Sequence, residues 1–382
     1  MTNPVPNDAA AADPITERGW KRRFKLVAFS LVPVLVLLLV GHCTASVATY
    51  RHLSFVTDSL TGVTNYHMRV GGWPWVHQTT TRLNTMGFPD IEYTNLPPKG
   101  DCVHVLFTGD SFTFGDALDG DLAWVSLVRQ RIATAFPGRC IRVFNVAAPM
   151  STIQQQLKRV REVKPILDPD YVILGQYQND ITDLTNVGAV AYQPSTDSTV
   201  TTFWGDRLRM ITPGFDSPLP RMLTYRAFEV LGENRIKLDI LSRWSVLADT
   251  SFAEYAGWLT GIYRSMFDSL ATELNADGTG FGVVIMPSKM DIIAQRYPEG
   301  EFFEKLADQY ALPRLSMMPV LDKRRKPFPY QTYDGHFNEL GNRIVAESVF
   351  DWLFVSDSAP FPALREGLEE PRPPVTIRWW PQ

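Results

Sequence analysis

The stretch 103–112, VHVLFTGDSF, decides the fold of this chain. It begins as a short apolar run and ends in the turn sequence Gly109-Asp110-Ser111. An apolar run of about six residues that stops at turn-forming residues predicts a buried strand rather than a helix. A helical repeat opened by Asp121 follows, with one apolar face made of Leu122, Val125, Val128 and Ile132. The stretch therefore predicts a strand, a tight turn and a helix, which is the repeating unit of a parallel sheet.

The same unit recurs along the chain. Further strands are predicted at 141–146, 171–175 and 281–286, and further helices from Thr152 to before Pro165, over 252–274 and over 339–354. The Thr152-x-x-Gln155 spacing is that of a capping box. Near-continuous apolar strands that alternate with helices are typical of a sheet covered on both faces. We therefore expect an α/β protein with a doubly wound, flavodoxin-like parallel sheet in three α/β/α layers.

Composition narrows the class of protein. The chain has 382 residues, of which 45% are hydrophobic and 20% charged, which supports a large buried core. The formal net charge of −4 offers no basic surface, so we expect no nucleic-acid partner. No residue pattern indicates a cofactor.

The N-terminus predicts where the chain resides. Basic residues at 21–25 precede an apolar run, 26–41, which small uncharged residues extend to Ala48. That length suits a membrane-spanning helix, and the basic flank places residues 1–23, a disordered tail, in the cytoplasm. We expect an anchor at 24–48 with the remaining chain extracytoplasmic, either periplasmic or at the cell surface. The alternative is a signal peptide cleaved near 46–48, which would make the protein secreted.

Two cysteines fit an exported domain. Cys102 and Cys140 each stand directly before a predicted strand. If these strands are parallel neighbours, the two sulfur atoms meet at the same end of the sheet and can form a disulfide. Two free thiols are the alternative.

The remaining chain divides by composition. Residues 49–100 are interpreted as a lead-in or stalk, and 101–356 as the α/β domain. An irregular insertion rich in aromatic residues and Pro, at about 185–250, is interpreted as a lid or substrate-shaping region. The tail 357–382 is Pro-rich, and we expect it to pack loosely.

Polar residues follow the predicted strands where a ligand would bind. In open parallel sheets, that place is beyond the carboxyl ends of the strands. Ser111 follows the first strand, Asn145 ends the second and Asn179 follows the third, while Asp334-Gly-His336 precedes the last helix. We therefore expect a serine, an amide and an Asp–His pair to meet at one sheet edge.

These residue types suit acyl transfer. A serine hydroxyl needs a base such as imidazole to take its proton, and the imidazole needs a carboxylate to orient it. Each motif alone has a plainer interpretation. Gly-Asp-Ser is usually a strand-ending turn, Asn-Asp a turn or helix cap, and Asp-Gly-His a turn. Metal ligation is disfavoured because no second His or Cys stands at ligand spacing near His336. Among the other histidines, His104 is expected in the core.

In combination, the motifs resemble the sequence blocks of the SGNH (GDSL-like) hydrolase superfamily. Gly109-Asp110-Ser111 resembles the first block, the Asn145 loop the second, Asn179-Asp180 the third and Asp334-Gly-His336 the last. The lead-in segment 82–88, RLNTMGF, is similar to the one that precedes the first block in exported, membrane-anchored bacterial members. The resemblance implies the SGNH fold.

It also implies site roles. Ser111 would be the nucleophile, His336 the base and Asp334 the acid that orients it. The oxyanion hole would be formed by the backbone N–H groups of Ser111 and Met150 and by the Asn179 amide.

Three features depart from the family pattern. Met150 occupies the place of a glycine that normally completes the oxyanion hole; its N–H can serve unless the loop requires positive φ. Three residues, 176–178, separate Gly175 from Asn179 where one is usual. Asp334 and His336 are one residue closer than in the commonest esterases, a spacing typical of the polysaccharide-modifying branch.

Two polar residues near this edge have less direct roles. Lys289 follows the strand at 281–286 and faces the same edge, where it would contact an anionic substrate or, as we favour, be a solvated surface lysine. Asp180 is interpreted as a structural partner of neighbouring loops.

We expect a serine ester hydrolase that removes O-acyl groups, acetyl above all, from an extracytoplasmic substrate such as a carbohydrate. An alternative is an O-acyltransferase that modifies a cell-surface polysaccharide and depends on a multi-span partner to export the acyl group. A second alternative is a catalytically silent carbohydrate-binding or assembly protein.

Overall fold

The computed structural model describes residues 14–48, 51–59, 63–71, 76–186, 218–236, 245–248, 253–332 and 334–356, together with Phe361 and Leu364. Of the disordered tail predicted at 1–23, residues 1–13 lie outside the described residues, whereas residues 14–23 belong to the N-terminal helix, so the prediction is wrong for that part. Most of the insertion predicted at 185–250 and most of the tail predicted at 357–382 also lie outside the described residues.

The central sheet has the predicted parallel architecture. Within the described ranges its strands are β4 (Val103–Thr108), β5 (Ile141–Asn145), β6 (Tyr171–Tyr177), β7 (Gly280–Met286) and β8 (Arg314–Ser316). They pair in the order β5-β4-β6-β7-β8, and every pairing is parallel. This order places β4, which ends at the Gly109-Asp110-Ser111 turn, between β5 and β6.

Helices lie between these strands along the chain and follow the last of them. They are α2 (Ser111–Phe114), α3 (Trp124–Ala135), α4 (Ile153–Leu167), α5 (Asn179–Asn186), α6 (Pro218–Glu233), α7 (Ala253–Ala276), α8 (Lys289–Ala294), α9 (Pro298–Gln309), α10 (Met318–Lys323) and α11 (Glu339–Phe354).

Alternation along the strands divides the core into two layers. Val105 and Phe107 of β4 pack with α3 and α11, whereas Leu106 between them packs with α4, α7 and α9 on the other face. Successive side chains of a strand point to opposite faces, so a strand that is apolar throughout must be covered on both sides. The α/β, doubly wound fold is confirmed.

Three predicted boundaries are wrong. Helix α3 begins at Trp124 rather than at Asp121, because Gly120–Leu122 forms a separate 3-10 turn. Helix α4 continues through Pro165, since a proline in the last turn removes only one intrahelical hydrogen bond; Asp168, at φ 43°, ends it. Strand β6 extends to Tyr177. The residues that separate Gly175 from Asn179 are thus mostly strand.

The N-terminal helix α1 (Pro14–Ala48) contains Phe29–Val47, which is long and apolar enough to cross a membrane or to be a signal sequence. Only 6% of its most apolar window is buried within the protein. A segment that inserts into lipid is expected to be an apolar helix that the rest of the protein does not cover.

The lead-in forms a second sheet rather than an extended stalk. Strands β1 (Arg51–Thr57), β2 (Thr64–Gly71) and β3 (Val76–Leu83) pair antiparallel in chain order. Its inner face packs on the α/β domain through a small buried cluster of Tyr66, Met68, Leu83, Phe114, Ala117 and Ala147. Phe114 belongs to α2, so this sheet lies against the turn that carries Ser111.

The segment 82–88 contains the end of β3 and the turn that follows it. The Asn84 side chain accepts hydrogen bonds from the backbone N–H groups of Met86 and Phe88, each at 3.0 Å. Gly87 has φ 84°, a conformation that favours glycine. The motif is therefore a side-chain-capped turn.

A disulfide joins Cys102 to Cys140, whose Cα atoms are 4.6 Å apart. Val103 pairs with Ile141 at the start of β4 and β5, so the two cysteines precede registered positions of neighbouring strands. The bond fixes the end of the sheet opposite Ser111.

Candidate active site

Ser111 lies at the carboxyl end of β4 and is the first residue of α2. The turn before it requires glycine, because a Cβ on Gly109 would lie 2.9 Å from the carbonyl oxygen of Gly175 and collide with the Thr113 hydroxyl. Asp110 caps α2 by accepting a hydrogen bond from Phe112 N–H at 2.9 Å. The tight turn and the cap hold the serine at the strand end, with 6% of the residue exposed.

A hydrogen-bonded chain connects Ser111 to His336 and Asp334. Ser111 Oγ lies 2.7 Å from His336 Nε2. On the other side of the ring, Asp334 Oδ1 bonds to Nδ1 and also accepts the His336 backbone N–H at 2.9 Å. A carboxylate at Nδ1 places the ring proton there and leaves Nε2 free to accept the serine proton. The Asp334–His336 spacing thus brings both side chains to one side of the loop.

The loop before this pair is fixed by a buried lysine. Lys289 Nζ donates to the carbonyl oxygens of Gln331, at 2.8 Å, and Thr332, at 3.0 Å. Desolvation lowers the pKa of Lys289 to about 8. The favoured prediction of a solvated surface lysine is therefore wrong: Lys289 is 3% exposed and supports the segment that leads to Asp334. The sequence pattern around Lys289 did not predict its burial, because the loop that covers it is distant in sequence.

The other side of the loop is held by Asn338, which caps α11. Its Oδ1 accepts from Gly341 N–H at 3.0 Å, and its Nδ2 donates to the carbonyl oxygens of Phe328 and Tyr330. Phe112 packs on the His336 ring with centroids 4.8 Å apart. These contacts restrict the imidazole to the orientation that faces Ser111.

Two buried carboxylates, Asp110 and Asp180, interact with each other near the turn that carries Ser111. Desolvation raises the pKa of Asp110 to about 7, partly offset by the Phe112 N–H and the charge of His336. Desolvation together with the nearby charge of Asp110 also raises the pKa of Asp180. Asp180 accepts hydrogen bonds from Gln156 Nε2 and Tyr177 N–H, each at 2.9 Å. It ties α4 to the end of β6, the structural role predicted for it.

Besides Ser111 itself, the residues predicted for the oxyanion hole follow the two strands that pair with β4. Met150 lies in the loop after β5 and Asn179 at the start of α5 after β6, on either side of β4. The Asn179 amide donates to Asp183 Oδ2 at 2.8 Å. The loop does require positive φ, and Met150 adopts it at φ 57° despite its side chain, so the condition that would have removed its N–H as a candidate donor does not do so. Asn145 supports this loop by accepting from Ala147 N–H at 3.0 Å.

A further acidic residue, Asp116, was not singled out from the sequence. Its Oδ2 lies 3.9 Å from His336 Nε2, and its Oδ1 accepts from the Tyr66 hydroxyl at 2.6 Å. No motif indicates it, since its partners lie 50 residues earlier and 220 later in the chain. His104, expected in the core, is buried and bonds to the carbonyl oxygen of Leu167.

A cavity of about 910 Å³ lies between β3, the 84–95 loop and α3. Its lining includes neither Ser111 nor His336, so it is separate from the site described above. In the part of the chain that the structure describes, no cluster of three or more His, Cys, Asp or Glu side chains is placed to hold a metal ion.

A parallel α/β sheet with Ser111, His336 and Asp334 joined at its carboxyl edge defines an ester hydrolase of the serine type. The profile of the GDSL-like Lipase/Acylhydrolase family matches residues 105–349, well over half of the chain. The chain belongs to this family. No curated protein sequence matches it at a significant level.

Solved structures with a similar fold are distant in sequence. A catalytic mutant of an acetylxylan esterase from Geobacillus stearothermophilus is 14% identical, with a TM-score of 0.40 over 65% of this chain and 92% of that one. A psychrotrophic esterase from Pseudoalteromonas sp. is 11% identical, with a TM-score of 0.37 over 65% of this chain and 94% of that one. At these scores the likenesses carry no argument about substrate.

Proposed function

We propose that the protein removes O-acyl groups, acetyl above all, from an extracytoplasmic carbohydrate through an acyl-enzyme on Ser111. The observation that carries this proposal is the 2.7 Å contact between Ser111 Oγ and His336 Nε2, with Asp334 bonded to the opposite ring nitrogen. A serine so connected is an activated nucleophile, whereas a serine in an ordinary strand-ending turn has no base beside it.

The proposed reaction has two halves. His336 Nε2 takes the Ser111 proton while Oγ attacks the ester carbonyl carbon, and the imidazolium then returns that proton to the departing sugar oxygen. In the second half, water loses a proton to His336 and attacks the acyl carbon. The proton then passes to Ser111 Oγ as the carboxylic acid leaves. Asp334 keeps its charge throughout and stabilises the imidazolium.

The negative oxygen of each tetrahedral intermediate needs hydrogen-bond donors. We assign these to the backbone N–H groups of Ser111 and Met150 and to the side-chain amide of Asn179, which lie after adjacent strands. The Asn179 amide carries two N–H groups and donates one of them to Asp183 Oδ2, so donation to the oxyanion does not require it to release Asp183.

Three features support an extracytoplasmic carbohydrate as substrate. A helix suited to membrane insertion precedes the domain, and the domain carries a disulfide, a bond that persists in oxidising compartments. The short Asp334-Gly-His336 spacing is similar to that of polysaccharide-modifying members of the superfamily. The orientation we propose places the domain outside the cytoplasm, with α1 retained as the anchor.

The test is acyl release by the purified full-length chain in detergent. Acetate should be released from O-acetylated oligosaccharides and short-chain nitrophenyl esters, and Ser111→Ala should lower the rate at least 1,000-fold. Equal rates in the two proteins would exclude Ser111 as nucleophile. Strong preference for long-chain acyl esters would contradict the acetyl assignment. Faster transfer to an added glycan than to water would instead define an acyltransferase, and glycan binding without turnover a binding protein.

A further inference from the structure

Tyr66 and Asp116 form a buried contact between the lead-in sheet and the catalytic centre. The Tyr66 hydroxyl, on β2, donates to Asp116 Oδ1 at 2.6 Å. Both residues are 3% exposed. The Tyr66 ring packs edge-on against Phe114, with centroids 5.1 Å apart. A short hydrogen bond to a carboxylate in a dry site is strong and holds that carboxylate in one orientation.

The second oxygen of Asp116 faces the catalytic histidine. Asp116 lies just beyond α2, and its backbone N–H donates to the carbonyl oxygen of Ser111 at 3.0 Å. From there Oδ2 reaches to 3.9 Å from His336 Nε2. The imidazole therefore has a carboxylate on each side, Asp334 at Nδ1 and Asp116 near Nε2.

We propose that Asp116 is a positioning residue of this hydrolase, a second carboxylate that stabilises the charged form of His336 while Nε2 holds the Ser111 proton. At 3.9 Å it is beyond hydrogen-bond distance of Nε2, so it leaves the Ser111 contact intact and acts through its charge. An opposite charge within about 4 to 6 Å favours the charged form of a titrating group by roughly one to three pKa units. The inference rests on the function proposed above.

Through this contact the lead-in sheet also affects the catalytic histidine. Tyr66 lies on the central strand of that sheet, and the small apolar cluster that includes Met68 and Phe114 keeps it against α2. Strands β1, β2 and β3 thus complete the surroundings of His336 rather than serve only as a spacer between α1 and the α/β domain.

Other charged groups also face His336, so the test must isolate Asp116. Asp334 bonds to Nδ1, and the charge of His336 lowers the otherwise raised pKa of Asp110. Lys289 supports the loop before Asp334. The charge of Asp183 raises the pKa of Asp110. Because Asp110 titrates near pH 7, the informative quantity is the difference between two variants that share this background.

Asp116→Asn and Asp119→Asn form that matched pair. Asp119 lies three residues further along the same loop, is exposed and also contacts the lead-in sheet, where it accepts Thr80 N–H at 2.7 Å. Each variant removes one negative charge and keeps an oxygen that can accept the existing hydrogen bond. A merely structural role of the loop would affect both variants alike.

The experiment measures two quantities on the full-length chain in detergent. One is the pH dependence of kcat/KM for a short-chain acetyl ester. The other is the NMR titration of ¹³C-labelled histidine, with the His336 signal assigned by its loss in His336→Gln. Asp116→Asn should lower the His336 midpoint by about one pH unit, a tenfold change in proton affinity, and shift the acid limb of kcat/KM equally. Asp119→Asn should leave both within about 0.2 unit of the unsubstituted protein.

An unchanged or raised His336 midpoint in folded Asp116→Asn would overturn the inference. If that variant does not fold, Tyr66→Phe replaces it, because it keeps the ring packing and removes only the donor that orients Asp116. It should shift the midpoint in the same direction by a smaller amount, and no shift would likewise overturn the inference. Absence of ester hydrolysis in the unsubstituted protein would refute the proposed function instead, while the titration would still decide the role of Asp116.

Discussion

Lys289 Nζ donates a hydrogen bond to the carbonyl oxygen of Gln331, 2.8 Å away, from a position where the lysine is almost wholly buried. A buried ammonium is expensive to desolvate, and such a group persists where carbonyl oxygens or charges satisfy it. Here the satisfied carbonyls belong to the segment just before Asp334. Lys289, the first residue of α8, thus fixes the loop that carries the orienting acid and the base.

Substitution of this lysine should therefore affect catalysis more than ordinary surface changes do. Lys289→Met leaves the carbonyls of Gln331 and Thr332 without this donor, which should cost about 1 to 3 kcal/mol of unfolding free energy. A displaced Asp334–His336 pair should lower kcat at least tenfold. Thermal unfolding and ester hydrolysis measure both effects. Lys305→Met, on the exposed face of α9, is the control and should change neither. An unaltered kcat in Lys289→Met would contradict this role.

The raised pKa of Asp110, about 7, predicts how stability depends on pH. Between pH 4 and 7 the folded chain keeps a proton that this carboxyl releases on unfolding. The contribution of Asp110 to stability is therefore full at the acid end of that range and is lost as pH rises towards 7. Asp110→Asn stays neutral and still accepts the Phe112 N–H, so its Tm should fall less than that of the unsubstituted protein between pH 5 and pH 8. Asp180 and Asp291, whose pKa values are also raised, preserve part of the slope in both proteins. Identical slopes would show that Asp110 does not titrate in this range.

The disulfide should stabilise the α/β domain without taking part in the reaction. Cys102 and Cys140 are 38 residues apart. In the chain-entropy model, closing a loop of that length lowers the entropy of the unfolded chain and stabilises the folded state by about 4 kcal/mol. A Cys102→Ala, Cys140→Ala double variant should unfold at a lower Tm. It should retain its kcat at low temperature, because the bond lies at the sheet end opposite Ser111. Alkylation and mass spectrometry of the unsubstituted protein should find Cys43 as the thiol that reacts. Labelling of Cys102 and Cys140 without a reductant would contradict the bond.

Much of this architecture follows from local sequence. Strands such as Val103–Thr108 can be predicted directly, because a short apolar run that stops at turn-forming residues is typical of a strand buried on both faces. The Ser111, Asn179 and Asp334–His336 motifs also lie where strand ends and the last helix predict them. The topology of parallel strands brings such residues together whatever separates them in sequence.

Long-range packing accounts for what the sequence did not predict. The burial of Lys289 depends on a loop about 40 residues later, and the Asp116 contact depends on Tyr66, 50 residues earlier. The lead-in sheet was missed because its strands carry mixed polar residues on an exposed face. Pro165 led to a wrong helix end for a different reason. A proline in the last turn of a helix destabilises it so little that tertiary packing can keep the helix intact.

Met150 provides a test of the proposed oxyanion hole. Its positive φ strains a residue with a side chain but not a glycine, and its N–H is the group we assign to the oxyanion. Met150→Gly should keep kcat within about threefold, because the donor is unchanged. Met150→Pro removes the N–H and cannot adopt φ 57°, and it should lower kcat at least 100-fold. Equal activity of the two variants would contradict the assignment of the Met150 N–H to the oxyanion hole.

The central claim is that Ser111 is a nucleophile activated by His336. The most direct measurement is covalent labelling of the full-length chain by a fluorophosphonate, followed by mass spectrometry of the modified peptide. The account predicts one adduct, on Ser111, with labelling at least 100-fold slower in His336→Ala and absent from the heat-unfolded protein. An adduct on another residue, equal labelling rates in His336→Ala, or no labelling of the folded protein between pH 6 and pH 9 would contradict it.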